Sequence, residues 1–197
     1  MDITLKNLSF GYGPVPVVSG ISLALPQGSR TALMGRSGSG KTTLLHLLAG
    51  LLAPTGGSIT GIEPGGCAMV FQQNRLLPWY TALQNLSIAV PEHTPTQHKA
   101  LLARLGLEGW ENAYPRELSG GMARRVAIAR ALARQKSPVL LLDEPFAGLD
   151  ETTRAQGAAV VAQELAGRTL VAVVHDRQDA QLLDAAVLDW EALRSAT

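Results

Sequence analysis

The sequence holds a single cysteine, Cys67, so no disulfide can close within the chain, and a reducing compartment fits best. It lacks a charge excess as well: 17 Lys and Arg stand against 16 Asp and Glu, a formal net charge of +1, with no basic tail. That balance offers no electrostatic footprint for nucleic acid or an anionic membrane surface, and no nucleic-acid partner is expected. Long apolar runs are missing too. The longest, such as Val139 to Leu142 and Leu170 to Val174, have strand length, far short of the roughly 20 residues a bilayer-spanning helix needs. The opening Met1-Asp2-Ile3-Thr4 has neither the charged nor the apolar region of a signal peptide. No repeat or low-complexity tract is evident, and 197 residues fit one domain, 1–197, with room for a small inserted subdomain.

What is present alternates between strands and helices. Ile3, Leu5, Leu8 and Phe10 alternate with polar neighbours, and Val17 to Leu25 continues around Gly20, which predicts two antiparallel strands. Arg30 to Met34 predicts a short apolar strand after the Pro26-Gln27-Gly28 turn, and Lys41 to Ala49 a helix closed by Gly50. A weak strand near Ile59 is followed by a buried strand over Cys67 to Phe71, which ends at the polar Gln72. Residues 73–117 lose the strand character. Pro78, Pro91, Pro95 and Pro115 punctuate helical pieces at Ala82 to Ser87 and Thr96 to Leu105, a helical insertion. Ser119 to Gln135 predicts a strong helix with Met122, Val126, Ala129 and Ala133 on one stripe. Arg124, Arg125, Arg130 and Arg134 fall mainly elsewhere and read as a solvated face. Val139 to Leu142 and Leu170 to Val174 flank a helix from Glu151 to Ala166, a unit suited to a parallel sheet in an α/β fold.

Chemistry enters at Gly35-Arg36-Ser37-Gly38-Ser39-Gly40-Lys41-Thr42-Thr43. Gly35, Gly38 and Gly40 remove the side chains that would block close backbone approach, so consecutive N–H groups can hold phosphate oxygens. Lys41 can then reach the β- and γ-phosphates, and the Thr42 hydroxyl can ligate Mg²⁺. Because a strand precedes this loop and a helix follows it, the phosphate would sit at the helix N-terminus. Asp143 and Glu144 close the strand Val139 to Leu142 in the Walker B arrangement. A carboxylate at that strand end can hold Mg²⁺, the role given to Asp143. Glu144 points the other way along the backbone, toward where an attacking water stands for in-line displacement, and is read as general base. Spacing alone therefore describes a Mg²⁺-dependent P-loop NTPase.

Leu118-Ser119-Gly120-Gly121-Met122 narrows the class, because it closely resembles the signature sequence of the ATP-binding cassette (ABC) family. The other motifs of that family follow in order along nearly the whole chain. Tyr12 matches the aromatic that stacks on adenine, Gln72 the Q-loop glutamine, Gly148-Leu149-Asp150 the D-loop and His175 the switch histidine. The resemblance implies an α/β ABC-type ATPase fold: a P-loop sheet core, mostly parallel, an N-terminal antiparallel β-layer and a small helical subdomain. It implies ATP and Mg²⁺ as cofactors, with Gln72 and His175 joining Glu144 in catalysis and Gln72 also reaching Mg²⁺. Ser119 is an N-cap candidate and, with Gly120 and Gly121, offers a bare helix N-terminus suited to an anion. In the family two such chains face each other head to tail, with ATP between Lys41 of one and Ser119 of the other and Asp150 bridging the two sites.

Residues 73–82, Gln-Asn-Arg-Leu-Leu-Pro-Trp-Tyr-Thr-Ala, look like the version found in importer ATPases for nitrate, sulfonate, taurine and related small solutes, and Tyr114-Pro115-Arg116-Glu117 agrees. Leu76, Leu77, Trp79 and Tyr80 gather apolar surface suited to a groove for a short helix of a membrane subunit. The resemblance implies a transmembrane permease, a second ATPase chain and a solute-binding protein as partners, and a peripheral place on the cytoplasmic side of the membrane. Little follows His175, so no C-terminal regulatory domain is expected. Met122 stands where the signature more commonly has Gln, a variant the importer group tolerates. An exporter ATPase is the alternative, and a soluble ABC protein a further one, although those usually carry paired cassettes or long coiled-coil insertions.

Overall fold

A computed structural model of the chain describes residues 1–195. In chain order the elements are β1 (Ile3–Tyr12), β2 (Val15–Leu25), β3 (Arg30–Met34), α1 (Lys41–Leu48), β4 (Gly56–Thr60), β5 (Cys67–Val70), α2 (Ala82–Ala89), α3 (Pro95–Arg104), α4 (Gly120–Ala133), β6 (Val139–Asp143), α5 (Glu151–Glu164), β7 (Thr169–Val173), α6 (Arg177–Leu182), β8 (Ala186–Asp189) and α7 (Trp190–Ser195). They build two sheets. β2, β1 and β4 form an antiparallel layer, in that order, and β5-β6-β7-β3-β8 a parallel sheet. Every residue of β6 and β7 is buried. Strands covered on both faces need continuous apolar runs, which explains why Val139 to Leu142 and Leu170 to Val173 carry no alternation.

Two clusters fill the space on either side of that sheet. One joins the sheet to α4, α5 and the insertion, through residues such as Leu86, Leu102, Ile128, Leu132 and Phe146. The other lies among α1, the antiparallel layer and the sheet, and includes Leu5, Ile21, Leu44, Leu141 and Trp190. Residues 73–117 carry α2, α3 and a short 3₁₀ turn at Pro115–Glu117, and no strand among the described residues. Sequence signals fix these helix starts locally. Thr81 with Gln84 and Thr94 with Gln97 each form a capping box, and Pro95 occupies the first turn of α3, where its missing N–H is no loss. Among the described residues no helix is long and apolar enough to cross a membrane.

The C-terminal end holds short elements that the sequence pattern does not announce. Three elements follow His175: α6, the edge strand β8 paired to β3, and α7. A four-residue strand exposed at Ala186, Val187 and Asp189 carries little pattern, and its pairing with β3 is a long-range contact. α5 stops at Glu164 rather than Ala166, because Ala166 and Gly167 take left-handed φ values of 45° and 83°.

Candidate nucleotide site and its neighbours

The loop after β3 leads into α1, whose N-cap is Gly40, left-handed at φ 103° and without a side-chain cap. A Cβ at Gly40 would lie 2.9 Å from Val17 Cγ1, and Gly38 is left-handed as well at φ 73°. Glycine is needed at Gly40 for both space and conformation. α1 therefore begins with bare N–H groups, the positive end of its dipole. Lys41 is buried and folds back over the loop, its Nζ donating to Gly35 O at 2.8 Å and Arg36 O at 2.6 Å. A cleft of about 340 Å³ opens in front, lined by Tyr12, Ser37, Gly38, Lys41, Gln72 and Glu144 among others. Tyr12 is exposed at the end of β1 and steadied edge-on by Phe10, ring centroids 5.0 Å apart.

β6 delivers the acids. Asp143 is fully buried and accepts from the Thr42 hydroxyl at 3.2 Å, while its Oδ2 has no partner among the described residues. Burial pushes its carboxyl pKa above the ordinary range, and the Glu144 charge adds to that against the opposing Thr42 bond. A buried carboxylate oxygen without a donor, beside a threonine hydroxyl, is a fitting hard-oxygen ligand pair for a divalent cation. Glu144 leaves the strand in a left-handed conformation, φ 49°, with its N–H donating to Val173 O at 3.0 Å. A non-glycine residue held there marks a position over-determined by its surroundings. Its Oε1 lies 2.8 Å from His175 Nε2 and accepts from Gln72 Nε2 at 3.2 Å. The ends of β5, β6 and β7 thus bring Gln72, Glu144 and His175, far apart in sequence, onto one carboxylate oxygen.

The signature lies elsewhere. Ser119 caps α4, accepting from Met122 N at 3.2 Å, and it is exposed together with Gly120. Ser119, Gly120 and Gly121 do not line the cleft in front of Lys41. Gly121 packs under Leu149, where a Cβ would lie 3.2 Å from Leu149 Cδ2. Asp150 is the N-cap of α5, holding Thr153 through its backbone N–H and its hydroxyl.

One expectation changes. Of the four arginines read as a solvated face, Arg124 is buried. Its guanidinium donates to the carbonyls of Phe71, Gln72, Asp143, Glu144 and Pro145 and to Asn74 Oδ1. It ties the signature helix to the Q-loop and to the end of β6, and burial lowers its pKa. Arg124 shares its face with Ala127, Ile128 and Ala131, all buried. The expected apolar surface is split in its burial. Leu76 packs on the core, whereas Trp79 is 81% exposed. A groove of about 370 Å³ lies beside them, between the end of α1, β5 and α4, with Leu51, Met69, Phe71, Arg75 and Arg130 in its walls. Arg75 lies over the Phe71 ring at 4.3 Å.

Residues 18–147 match the model of the ABC transporter family. The chain belongs to that family. An aliphatic sulfonates import ATP-binding protein, SsuB 2 of Nocardia farcinica, is 42% identical over 199 residues, covering 99% of this chain and 82% of the relative. Its counterpart in Rhodococcus jostii is 41% identical over 192 residues, covering 94% of this chain and 77% of the relative. Among solved structures, a dimeric post-hydrolysis state of the ATP-binding cassette MJ0796 with ADP and Pi has a TM-score of 0.81 at 30% identity, covering 91% of this chain and 90% of that one. An ATP-bound bacterial Atm1-family ABC exporter has a TM-score of 0.84 at 25% identity, covering 95% of this chain and 36% of that one. As an ABC ATPase the chain binds and hydrolyses ATP, and its parallel core with an antiparallel N-terminal layer is the cassette fold.

Proposed function

We propose that this cassette, residues 1–197 as one ATPase domain with a helical insertion, powers import of a small solute through a separate membrane permease. In this reading it lies on the cytoplasmic side of the membrane and works with a solute-binding protein. The chemistry rests above all on the convergence of Gln72, Glu144 and His175 beside the P-loop. ATP would lie on the bare amides of Gly38 and of Gly40 to Thr43, with adenine against Tyr12 and the γ-phosphate facing Lys41. Thr42 and Asp143 would hold Mg²⁺, with Gln72 as a further oxygen ligand. The ion supplies charge neutralisation of the β- and γ-phosphates when bound. Glu144 takes the proton of the attacking water. His175, at hydrogen-bond distance from that carboxylate, orients it and can donate to the γ-phosphate. The exposed Ser119 on its capped helix suits a γ-phosphate held on a second copy, since it does not line the cleft of its own chain.

Direction of transport is supported by sequence likeness rather than by shape. The fold is as close to an exporter cassette as to MJ0796, whereas the relatives at 41–42% identity are named for sulfonate import. An aliphatic sulfonate or a similar small anion is the proposed solute class. The groove walled by Phe71, Arg75 and Arg130 suits a short permease helix, because it abuts the Q-loop that touches Glu144. Glu144→Gln should bind ATP normally and lose ~10²–10⁴-fold in turnover. A rate within a small factor of the parent would remove Glu144 as base. In proteoliposomes with the permease, a liganded solute-binding protein should stimulate ATPase from outside. Stimulation by cytoplasmic solute alone would make the complex an exporter.

A further inference from the structure

The P-loop is held from behind by α7, an element that no nucleotide motif announces. Trp190 is fully buried, and its Nε1–H donates to Ser39 O at 2.7 Å. Arg194 adds a second donor to that carbonyl at 3.3 Å. Glu191 Oε1 accepts from the Arg36 N–H at 2.7 Å, and a Cβ built on Gly35 would lie 2.3 Å from Glu191 Oε2. The carboxylate thus fills the space that Gly35 leaves open. A Cβ on Gly40 would lie 3.7 Å from the Trp190 ring, so the indole also backs the last glycine of the loop.

A loop that turns successive N–H groups toward an anion must turn its carbonyls away, and each of those needs a donor. Gly35 O takes its donor from Lys41, the cation that also has to serve phosphate, and Arg36 O takes its donors from Lys41 and from the Ser39 hydroxyl and N–H. Ser39 O takes its donors from α7 among the described residues. The α7 contacts fall on the back of the loop, at Arg36 and Ser39, and leave the amides of Gly38 and of Gly40 to Thr43 unspent. Nothing in α7 lines the cleft. We infer that Trp190 and Glu191 are positioning residues for nucleotide binding: through Ser39 O and the Arg36 N–H they lock the loop in its phosphate-holding shape before nucleotide arrives. The inference rests on the reading of this loop as the ATP site. Its signature is a change in affinity without a change in chemistry, since Glu144, Gln72 and His175 lie on other strands.

The test is ATP affinity by calorimetric titration, with KM and kcat, on the full chain and on Glu191→Ala, Glu191→Gln and Trp190→Phe. Glu191→Ala should weaken ATP about tenfold in Kd and KM with kcat within about twofold. Glu191→Gln keeps the acceptor oxygen and should restore affinity to within about threefold of the parent. Trp190→Phe keeps the ring but loses the donor, and should fall between them. Should Trp190→Phe not fold, the Glu191 pair decides alone. Affinity of Glu191→Ala within about twofold of the parent overturns the brace, as does a loss confined to kcat. Tighter binding on removal of the carboxylate also overturns it, making Glu191 an electrostatic brake on phosphate. If the parent itself, like a Lys41→Ala control, binds no ATP, the nucleotide reading fails rather than the brace.

Discussion

Arg124→Met is the perturbation whose cost can be worked most directly from the structure. The guanidinium satisfies the carbonyls of Phe71, Gln72, Asp143, Glu144 and Pro145, and methionine fills similar volume while donating to none of them. A hydrogen bond from a charged donor contributes about 1.5–3 kcal/mol, so a naive sum over these carbonyls would reach the whole stability of an ordinary domain, about 5–15 kcal/mol. That sum is too large for two reasons. Burial already lowers the Arg124 pKa, a sign that desolvating the cation offsets part of the gain. Gln72 is exposed, so its carbonyl can rehydrate. Removing one side of a buried charged network costs about 3–5 kcal/mol, and that is the expected loss. At about 2–4 °C per kcal/mol for a chain of this size, Tm should fall by roughly 6–20 °C. Activity supplies a second readout. Arg124 holds Gln72 and Glu144 by their own main chains and does not touch the P-loop, so folded Arg124→Met at low temperature should bind ATP nearly as the parent does. Its kcat should fall at least about tenfold, the cost of a misplaced base. A Tm within about 3 °C of the parent would refute the energetic reasoning, and an unchanged kcat would refute the positional one.

Ser119→Arg, placed in a Glu144→Gln background, should leave ATP binding by the monomer intact yet abolish the ATP-dependent dimer on size-exclusion chromatography. Unimpaired dimerisation would refute the head-to-tail sandwich. Asp143→Asn should be the more stable form at neutral pH while losing Mg²⁺-dependent hydrolysis, because it removes a desolvated carboxylate that lacks a donor for Oδ2. The sign follows from its raised pKa. The folded parent binds the proton more tightly than the unfolded chain, so its stability is full below the ordinary carboxylate pKa and declines as pH rises through and above it. The Tm advantage of Asp143→Asn should therefore grow from about pH 4 upward and then level off, and a constant or shrinking advantage would refute the assignment.

How legible each part was in sequence depends on whether its cause is local. The P-loop and Walker B residues could be named because glycine spacing, a lysine and two acids at a strand end are chemistry written in consecutive residues, and the structure draws Thr42 and Asp143 together. Ser119, named from the sequence as a cap candidate, marks a helix start in the same local way, and the structure shows Thr81, Thr94, Asp150 and Asp176 doing so as well. Arg124 escaped because a stripe through Met122 and Val126 puts it off the apolar face, whereas α4 is buried almost all round from Val126 to Ala133. A helix enclosed in that way has no solvated side to which an arginine can be assigned. What fixed its place was the cluster of carbonyls at the ends of β5 and β6, visible only once the parallel pairing exists.

The C-terminal elements show the same limit from the other side. Asp189 accepts from Ala192 N at 3.0 Å, so the start of α7 did carry a capping signal, in an Asp followed by Trp and Glu. Its meaning did not lie in the helix itself. β8 pairs with β3, the strand that runs directly into the P-loop, and this pairing delivers Trp190 and Glu191 to Ser39 and Arg36. A tryptophan at the end of a sequence reads as an ordinary apolar residue until a neighbouring strand sets its partner. The motif residues state what chemistry is done at the loop, whereas residues more than a hundred positions away determine how firmly the loop is held while it is done.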